Sequence, residues 1–96
     1  MNKSELVSQC NRQMPALHRD EIEAVVDQVI ANIERSLHEG EPVLISRFGT
    51  FQVVDRAATR RRNPRDGKLI DIPAKKKVAF RPSDILMAKV NDEHQL

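Results

Sequence analysis

The chain has 96 residues, enough for one domain, and 40% of them are hydrophobic, enough for a small core. No apolar run approaches the roughly 18 residues a membrane-spanning helix needs, and the single cysteine, Cys10, excludes an intrachain disulfide and fits a reducing cytoplasm. The net charge of +2 hides an asymmetry: residues 1–46 carry four Lys or Arg against eight Asp or Glu, whereas residues 47–81 carry eleven against three Asp. That split predicts an acidic or neutral body bearing a cationic part that binds a polyanion, with an ordinary solvated charged surface as the competing reading.

Asn2 and Glu5 form a capping-box pattern, so the N-terminus reads as a helix start rather than a signal peptide. Leu6, Val7, Cys10 and Met14 follow at helical spacing, and Pro15 stops the helix. Cys10 reads as a small core residue, because no second cysteine or nearby histidine suggests a metal site or a nucleophile. Ile22, Val25, Val26, Val29, Ile30, Ile33 and Leu37 then mark one face of a long amphipathic helix. Asp20, with Glu23 three positions on, is one candidate cap, and His18 is another; Gly40 stands where a left-handed C-terminal cap is wanted. The two helices predict an αα-hairpin whose Val/Ile face needs a sheet or a partner subunit to cover it.

Val43–Ile45 reads as a short strand, joined through Ser46–Thr50 to a second strand over Phe51–Arg56. Leu69–Ala74 is expected to be the return partner of Phe51–Arg56, and Lys75–Lys77 to lead back through Val78-Ala79-Phe80. Strand alternation places Lys75 and Lys77 on one face and Lys76 on the other. Phe48, Phe51 and Phe80 are the only aromatic residues; core packing is the preferred reading for Phe51 and Phe80 over base stacking. Ser83 is a suitable N-cap for a last short helix through Ile85, Leu86 and Val90, and a frayed tail follows Asn91. The order is helix, helix, three strands, helix.

Between the strand-like segments, residues 60–67 read Arg-Arg-Arg-Asn-Pro-Arg-Asp-Gly. The arginines can neutralise phosphates, the Asn63–Gly67 stretch can reverse the chain, and Pro64 offers a stiff apolar tip because its φ is fixed. The bland reading of Pro64 is an ordinary turn proline. From Arg56 to Pro64 an extended arm reaches about 26 Å at ~3.3 Å per residue, several times the ~6 Å width of a minor groove.

Gly49-Thr50-Phe51, Arg62-Asn63-Pro64, Gly67, Ile72-Pro73-Ala74 and Phe80-Arg81-Pro82 occur in that order, with Asn2-Lys3-Ser4-Glu5-Leu6 and Gly40-Glu41-Pro42-Val43 ahead of them. Through these motifs the chain resembles the HU/IHF family of bacterial histone-like DNA-architecture proteins, from about Asn2 to Asn91. The resemblance implies an α+β fold: an N-terminal αα-hairpin, a three-stranded antiparallel sheet with an extended β-ribbon arm, and a short C-terminal helix. It implies an intertwined dimer, with itself or a related chain; the uncovered face of the second helix and the short sheet are expected to make that dimer bury Val25, Val29, Ile33, Phe48 and Phe51. The body would span residues 1–55 and 75–91, the arm about 56–74 and the tail 92–96. The implied partner is double-stranded DNA, bound through the minor groove with little base specificity and bent by the Pro64 wedge. The implied setting is the cytoplasmic nucleoid, where such a protein compacts DNA or assists recombination, replication or transcription.

The residues expected to meet DNA are Lys3, Arg47, Arg56, Arg60, Arg61, Arg62, Asn63, Pro64, Arg65, Lys68, Lys75, Lys76, Lys77, Arg81 and Ser83. Several positions depart from the family pattern: Thr59 replaces a basic residue, Arg47, Arg61 and Ser83 replace glycines, and Asp84 and Met87 replace lysines. An enzyme is disfavoured, since His18, His38 and His94 are scattered and no phosphate loop or metal-ligand cluster appears; neither cofactor nor metal, membrane nor small-molecule substrate is expected. The alternative is an RNA-binding or acidic-protein interaction module using the same basic arm. Competition between duplex DNA and RNA separates the two.

Overall fold

The structure, a computed structural model, describes residues 1–91; the expected frayed tail, with His94, lies outside the described residues. The chain folds as two units that divide between Ser36 and Leu37.

In the first unit, α1 (Lys3–Gln13) starts as its capping residues predict, with the Glu5 N–H donating to Asn2 Oδ1 at 2.9 Å. It ends at Met14, whose N–H donates to the Cys10 carbonyl, and Pro15 cannot continue it. The second helix, α2 (Arg19–His38), begins earlier than a cap at Asp20 would allow. The His18 N–H donates to Glu21 Oε1 at 2.9 Å, while the Glu21 and Ile22 N–H groups donate to the His18 carbonyl. The start is therefore set by His18 and Glu21, and Asp20 lies within the first turn, where its charge faces the positive end of the helix dipole. Lys3 Nζ and Asp27 Oδ1, 2.7 Å apart, tie the helices, as does the Arg19 guanidinium donating to Ser4 Oγ at 2.9 Å. Val7 is fully buried, Ile22 nearly so, and Cys10 is half-buried within its stripe. Much of the α2 stripe stays open: Val25 is 63% exposed and Val29 50%.

In the second unit Gly40, at φ +83°, closes the end of α2 with its N–H donated to the Leu37 carbonyl. Strands β1 (Val43–Ile45), β2 (Gly49–Arg56) and β5 (Lys75–Pro82) form an antiparallel sheet in the order β1-β2-β5. Strands β3 (Thr59–Arg62) and β4 (Leu69–Ile72) form a separate two-stranded ribbon. Leu69–Ile72 is thus a strand, but its partner is Thr59–Arg62, and Phe51–Arg56 pairs instead with Lys75–Phe80. The expected pairing was centred on the wrong residues, whereas the three-stranded antiparallel sheet and the ribbon arm are as expected, the ribbon's two strands being separate from those of the sheet. One hairpin register nevertheless runs through both ladders, from Gly49↔Pro82 and Arg56↔Lys75 to Thr59↔Ile72 and Arg62↔Leu69. It is interrupted only where Ala57-Ala58 faces Pro73-Ala74, and Pro73 has no N–H to give a ladder.

Phe51 lies opposite Phe80, their ring centroids 4.8 Å apart, and Phe48 lies 5.3 Å from Phe80. The three rings pack on one another, as expected for Phe51 and Phe80, instead of standing free to stack bases. A Cβ on the buried Gly49 would fall 2.5 Å from the Arg81 carbonyl oxygen and 2.6 Å from the Phe80 ring, so only glycine fits there. The last helix, α3 (Asp84–Val90), is capped by Ser83, whose Oγ accepts from the Leu86 N–H at 3.0 Å.

Candidate nucleic-acid interface

The turn at the ribbon's apex is built largely by Asn63. Its N–H donates to the Lys68 carbonyl, its carbonyl accepts from the Gly67 N–H, and its Oδ1 accepts from the Arg65 N–H at 2.9 Å. Asp66 Oδ1 accepts from the Lys68 N–H at 3.0 Å, and Gly67 takes the left-handed φ of +73° the turn requires. The turn thus spans Asn63–Gly67 with an i→i+4 bond, one residue wider than a simple proline β-turn. Pro64, Arg65 and Lys68 stand exposed around it.

Along the ribbon, opposed residues share a face. Arg60 lies opposite Asp71, with Nε 2.7 Å from Oδ1, and on the same face Arg62 donates from Nη1 to the Gly67 carbonyl at 2.9 Å. The other face carries Thr59, Ile72, Arg61 and Ile70, and Arg61 has no hydrogen-bond or ion-pair partner among the described residues.

The sheet sorts its charge by the same rule. Gly49, Phe51, Val53 and Asp55 share one face with Pro82, Phe80, Val78 and Lys76. On the opposite face Arg56 lies across from Lys75, Val54 from Lys77 and Thr50 from Arg81. Four cations therefore line one face of two strands with no carboxylate among them, and Lys76 sits apart on the aromatic face, as alternation predicts. Arg56 and Lys75 are like charges in direct opposition, a destabilising arrangement unless an anion lies between them.

The remaining expected contacts are held differently. Lys3 donates to Asp27, and that hydrogen bond, followed by the charge of the same carboxylate, raises its pKa above 10.5 against a small opposing effect of burial. Ser83 is committed to the protein: its hydroxyl donates to the Arg47 carbonyl at 2.8 Å and accepts from the Leu86 N–H, while its own N–H donates to the Phe48 carbonyl at 2.9 Å. It keeps no donor for a phosphate. Arg47 occupies a turn position at φ +68°, the only non-glycine among the described residues with positive φ, which explains why a glycine suits that site. Sequence reading missed Asp71, Asp27 and the carbonyl of Gly67 as partners of the cations; Asp71 becomes visible once the hairpin is closed at Asn63 and Lys68.

A helical hairpin followed by a three-stranded sheet, a basic two-stranded ribbon and a short helix is the architecture of the bacterial histone-like class. The chain belongs to that family: the family model described as bacterial DNA-binding protein matches residues 1–91. Among its relatives, the DNA-binding protein HU of Staphylococcus aureus is 43% identical over 86 residues, covering 90% of this chain and 94% of that one. The SPbeta prophage-derived DNA-binding protein HU 2 of Bacillus subtilis is 42% identical, covering 90% and 92%. Anabaena HU, solved in a cocrystal with DNA, superposes with a TM-score of 0.83 at 29% identity, covering 94% of this chain and 97% of that one. An HU variant from Thermotoga maritima shares the fold, with a TM-score of 0.67 at 24% identity over 94% of this chain and 99% of that one.

Proposed function

We propose that this chain is an architectural protein that binds duplex DNA through the minor groove and bends it. The observation that carries the reading is the β3–β4 ribbon, with Pro64 exposed at its apex and Arg60, Arg61, Arg62, Arg65 and Lys68 along and around it. Kinking by an inserted apolar wedge is the mechanism already described for HU and IHF themselves, and Pro64 stands at the ribbon's apex in the place of such a wedge. Unstacking a base step costs a few kcal/mol, offset by the phosphates that the bent duplex brings against Arg56, Lys75, Lys77 and Arg81. The ribbon segment of about residues 56–74 acts as the arm and the rest as the body. Lys3, Arg47 and Lys76 supply weaker flanking charge, and Asn63 and Ser83 act by shaping the turns that present the cations. The setting is the bacterial nucleoid, no catalytic step is assigned, and RNA or an acidic protein is the alternative polyanion.

The working unit is a dimer, of this chain with itself or with a related one. Among the described residues only Val7 and Ile22 are buried hydrophobics, while Val25, Val29, Phe48, Val78 and Phe80 remain 40–63% exposed. A lone chain leaves too much apolar surface in water for a stable fold of this size.

Energy transfer between dyes at the ends of a duplex, read beside the binding isotherm, tests the mechanism. Pro64→Ala keeps the arm's charge, so bending should fall by more than affinity. Equal bending by the variant and the parent would reduce Pro64 to a turn residue. RNA duplex competing as well as DNA would favour the alternative.

A further inference from the structure

The two faces of the ribbon are chemically unequal. On the face of Arg60, Asp71, Arg62 and Leu69, one guanidinium is paired with a carboxylate at 2.7 Å and the other donates to a carbonyl at 2.9 Å. On the face of Thr59, Ile72, Arg61 and Ile70, the one cation has no partner among the described residues, its opposite neighbour is Ile70 and its diagonal neighbour within the ribbon is Ile72. A minor groove has apolar sugar walls and a negative potential that deepens as the groove narrows over A·T tracts, where arginine inserts. The Arg61 face matches that surface. The other face would press the Asp71 carboxylate toward the same negative potential.

Resting on the arm reading above, we propose that Arg61 is the groove-reading residue of this chain, giving it a preference for narrow, A·T-rich minor grooves. Arg60 and Arg62 contribute phosphate attraction without sequence preference, their guanidinium groups being occupied with Asp71 and the apical turn. Arg61 alone combines a free guanidinium with an apolar floor. An arginine here enters the groove unencumbered, and a planar guanidinium is more weakly hydrated than an ammonium.

The test measures affinity at one fixed salt for three duplexes of equal length: an A-tract, a G·C sequence, and the G·C sequence with inosine for guanine, which removes the minor-groove amino group. The parent chain should bind the A-tract and inosine duplexes several-fold more tightly than the G·C duplex. Arg61→Gln should erase that preference and, in a salt series on the A-tract duplex, flatten the slope by about one unit for each arm deprived of this cation. Arg60→Gln should flatten the slope but keep the preference, and Arg61→Lys should keep the slope but weaken the preference. A parent chain with no preference, or Arg61→Gln that retains one, overturns the proposal. Replacing Arg60, Arg61 and Arg62 together with Gln separates the two levels. An unchanged affinity and slope would remove the arm itself from DNA binding, whereas weakened affinity with an intact preference would defeat only the role given to Arg61.

Discussion

Arg56 and Lys75 face each other directly across β2 and β5, on the sheet face that also carries Lys77 and Arg81. Two like charges so opposed destabilise a strand pair by roughly 0.2–1 kcal/mol, less as salt screens them. Replacing both with Gln should therefore leave stability unchanged or raise it by a few tenths of a kcal/mol. If this face meets phosphate as proposed, the same change removes two contacting cations per chain, hence four in the proposed dimer, each contributing about 0.9 to the slope of log affinity against log salt. The slope should flatten by up to about 3.6, so the fall in affinity between about 0.05 and 0.2 M salt should shrink by roughly two orders of magnitude. Fluorescence anisotropy across a salt series reads the change in slope, and urea denaturation reads the change in stability. An unchanged slope would mean that this face never meets phosphate. A stability loss well above 1 kcal/mol would mean that the pair is not repulsive and that the register argument is wrong.

Other residues give independent checks. Ile33→Asp should prevent folding, because a charge left unpaired in the core of the proposed dimer costs several kcal/mol against marginal stability; a parent chain that sediments as a folded monomer at micromolar concentration refutes the dimer. Gly49→Ala puts a Cβ where the Arg81 oxygen and the Phe80 ring already stand, and should cost about 1–3 kcal/mol of stability by urea denaturation; a neutral result would show that the strand pair yields there. The raised pKa of Lys3 means that its bond to Asp27 stabilises fully below the ordinary lysine value of 10.5 and is lost as pH climbs through the raised one. Asp27→Asn should remove that alkaline dependence, and an unaltered alkaline limb in the pH–stability curve argues against it. Asp84→Lys with Met87→Lys should lengthen the protected DNA footprint and steepen the salt slope by about one unit per added phosphate pairing, since Asp84 now repels phosphate from the start of α3; an unchanged footprint turns that helix away from the duplex.

Local chemistry was the legible part of this chain. Asn2, Gly40 and Ser83 cap as their side chains or their lack of one dictate, and the Ile22-to-Leu37 stripe is helical throughout. The reversal at Asn63–Gly67 was legible too, and the chain turns there; what apolar content misplaced was the centre of the strand pairing that this turn imposes. Apolar content makes Leu69–Ile72 look like the natural partner of Phe51–Arg56, but the bonds between Asn63 and Lys68 fix the turn, and every pairing down to Gly49↔Pro82 follows from it. A shift of a few residues in that centre changes which cation meets which carboxylate. His18 and Asp20 both stood as candidate starts of α2, and the structure selects His18 because Glu21 reaches back to its backbone N–H. Burial was the least legible property, since the helical stripe marks a face without saying what covers it.

The placement of the carboxylates argues more about function than the count of arginines does. Of the three Asp within residues 47–81, Asp55 lies opposite Lys76 on the aromatic face of the sheet, Asp66 accepts a backbone N–H inside the apical turn, and Asp71 holds Arg60 on one face of the ribbon. None shares a face with Arg61 on the ribbon or with Arg56, Lys75, Lys77 and Arg81 on the sheet. A surface charged only for solubility would gain by interspersing both signs. Here the acids are confined to faces with packing or turn-building work, and the cations opposite are left uncompensated and, at Arg56 and Lys75, mutually repelling. The folded chain thus calls for two partners of different kinds. One is apolar, for the open face of α2 and, separately, for the phenylalanine cluster, and in the proposed dimer a second chain supplies it. The other is anionic, for the sheet and ribbon, and the closely spaced charges of a phosphate backbone meet that need.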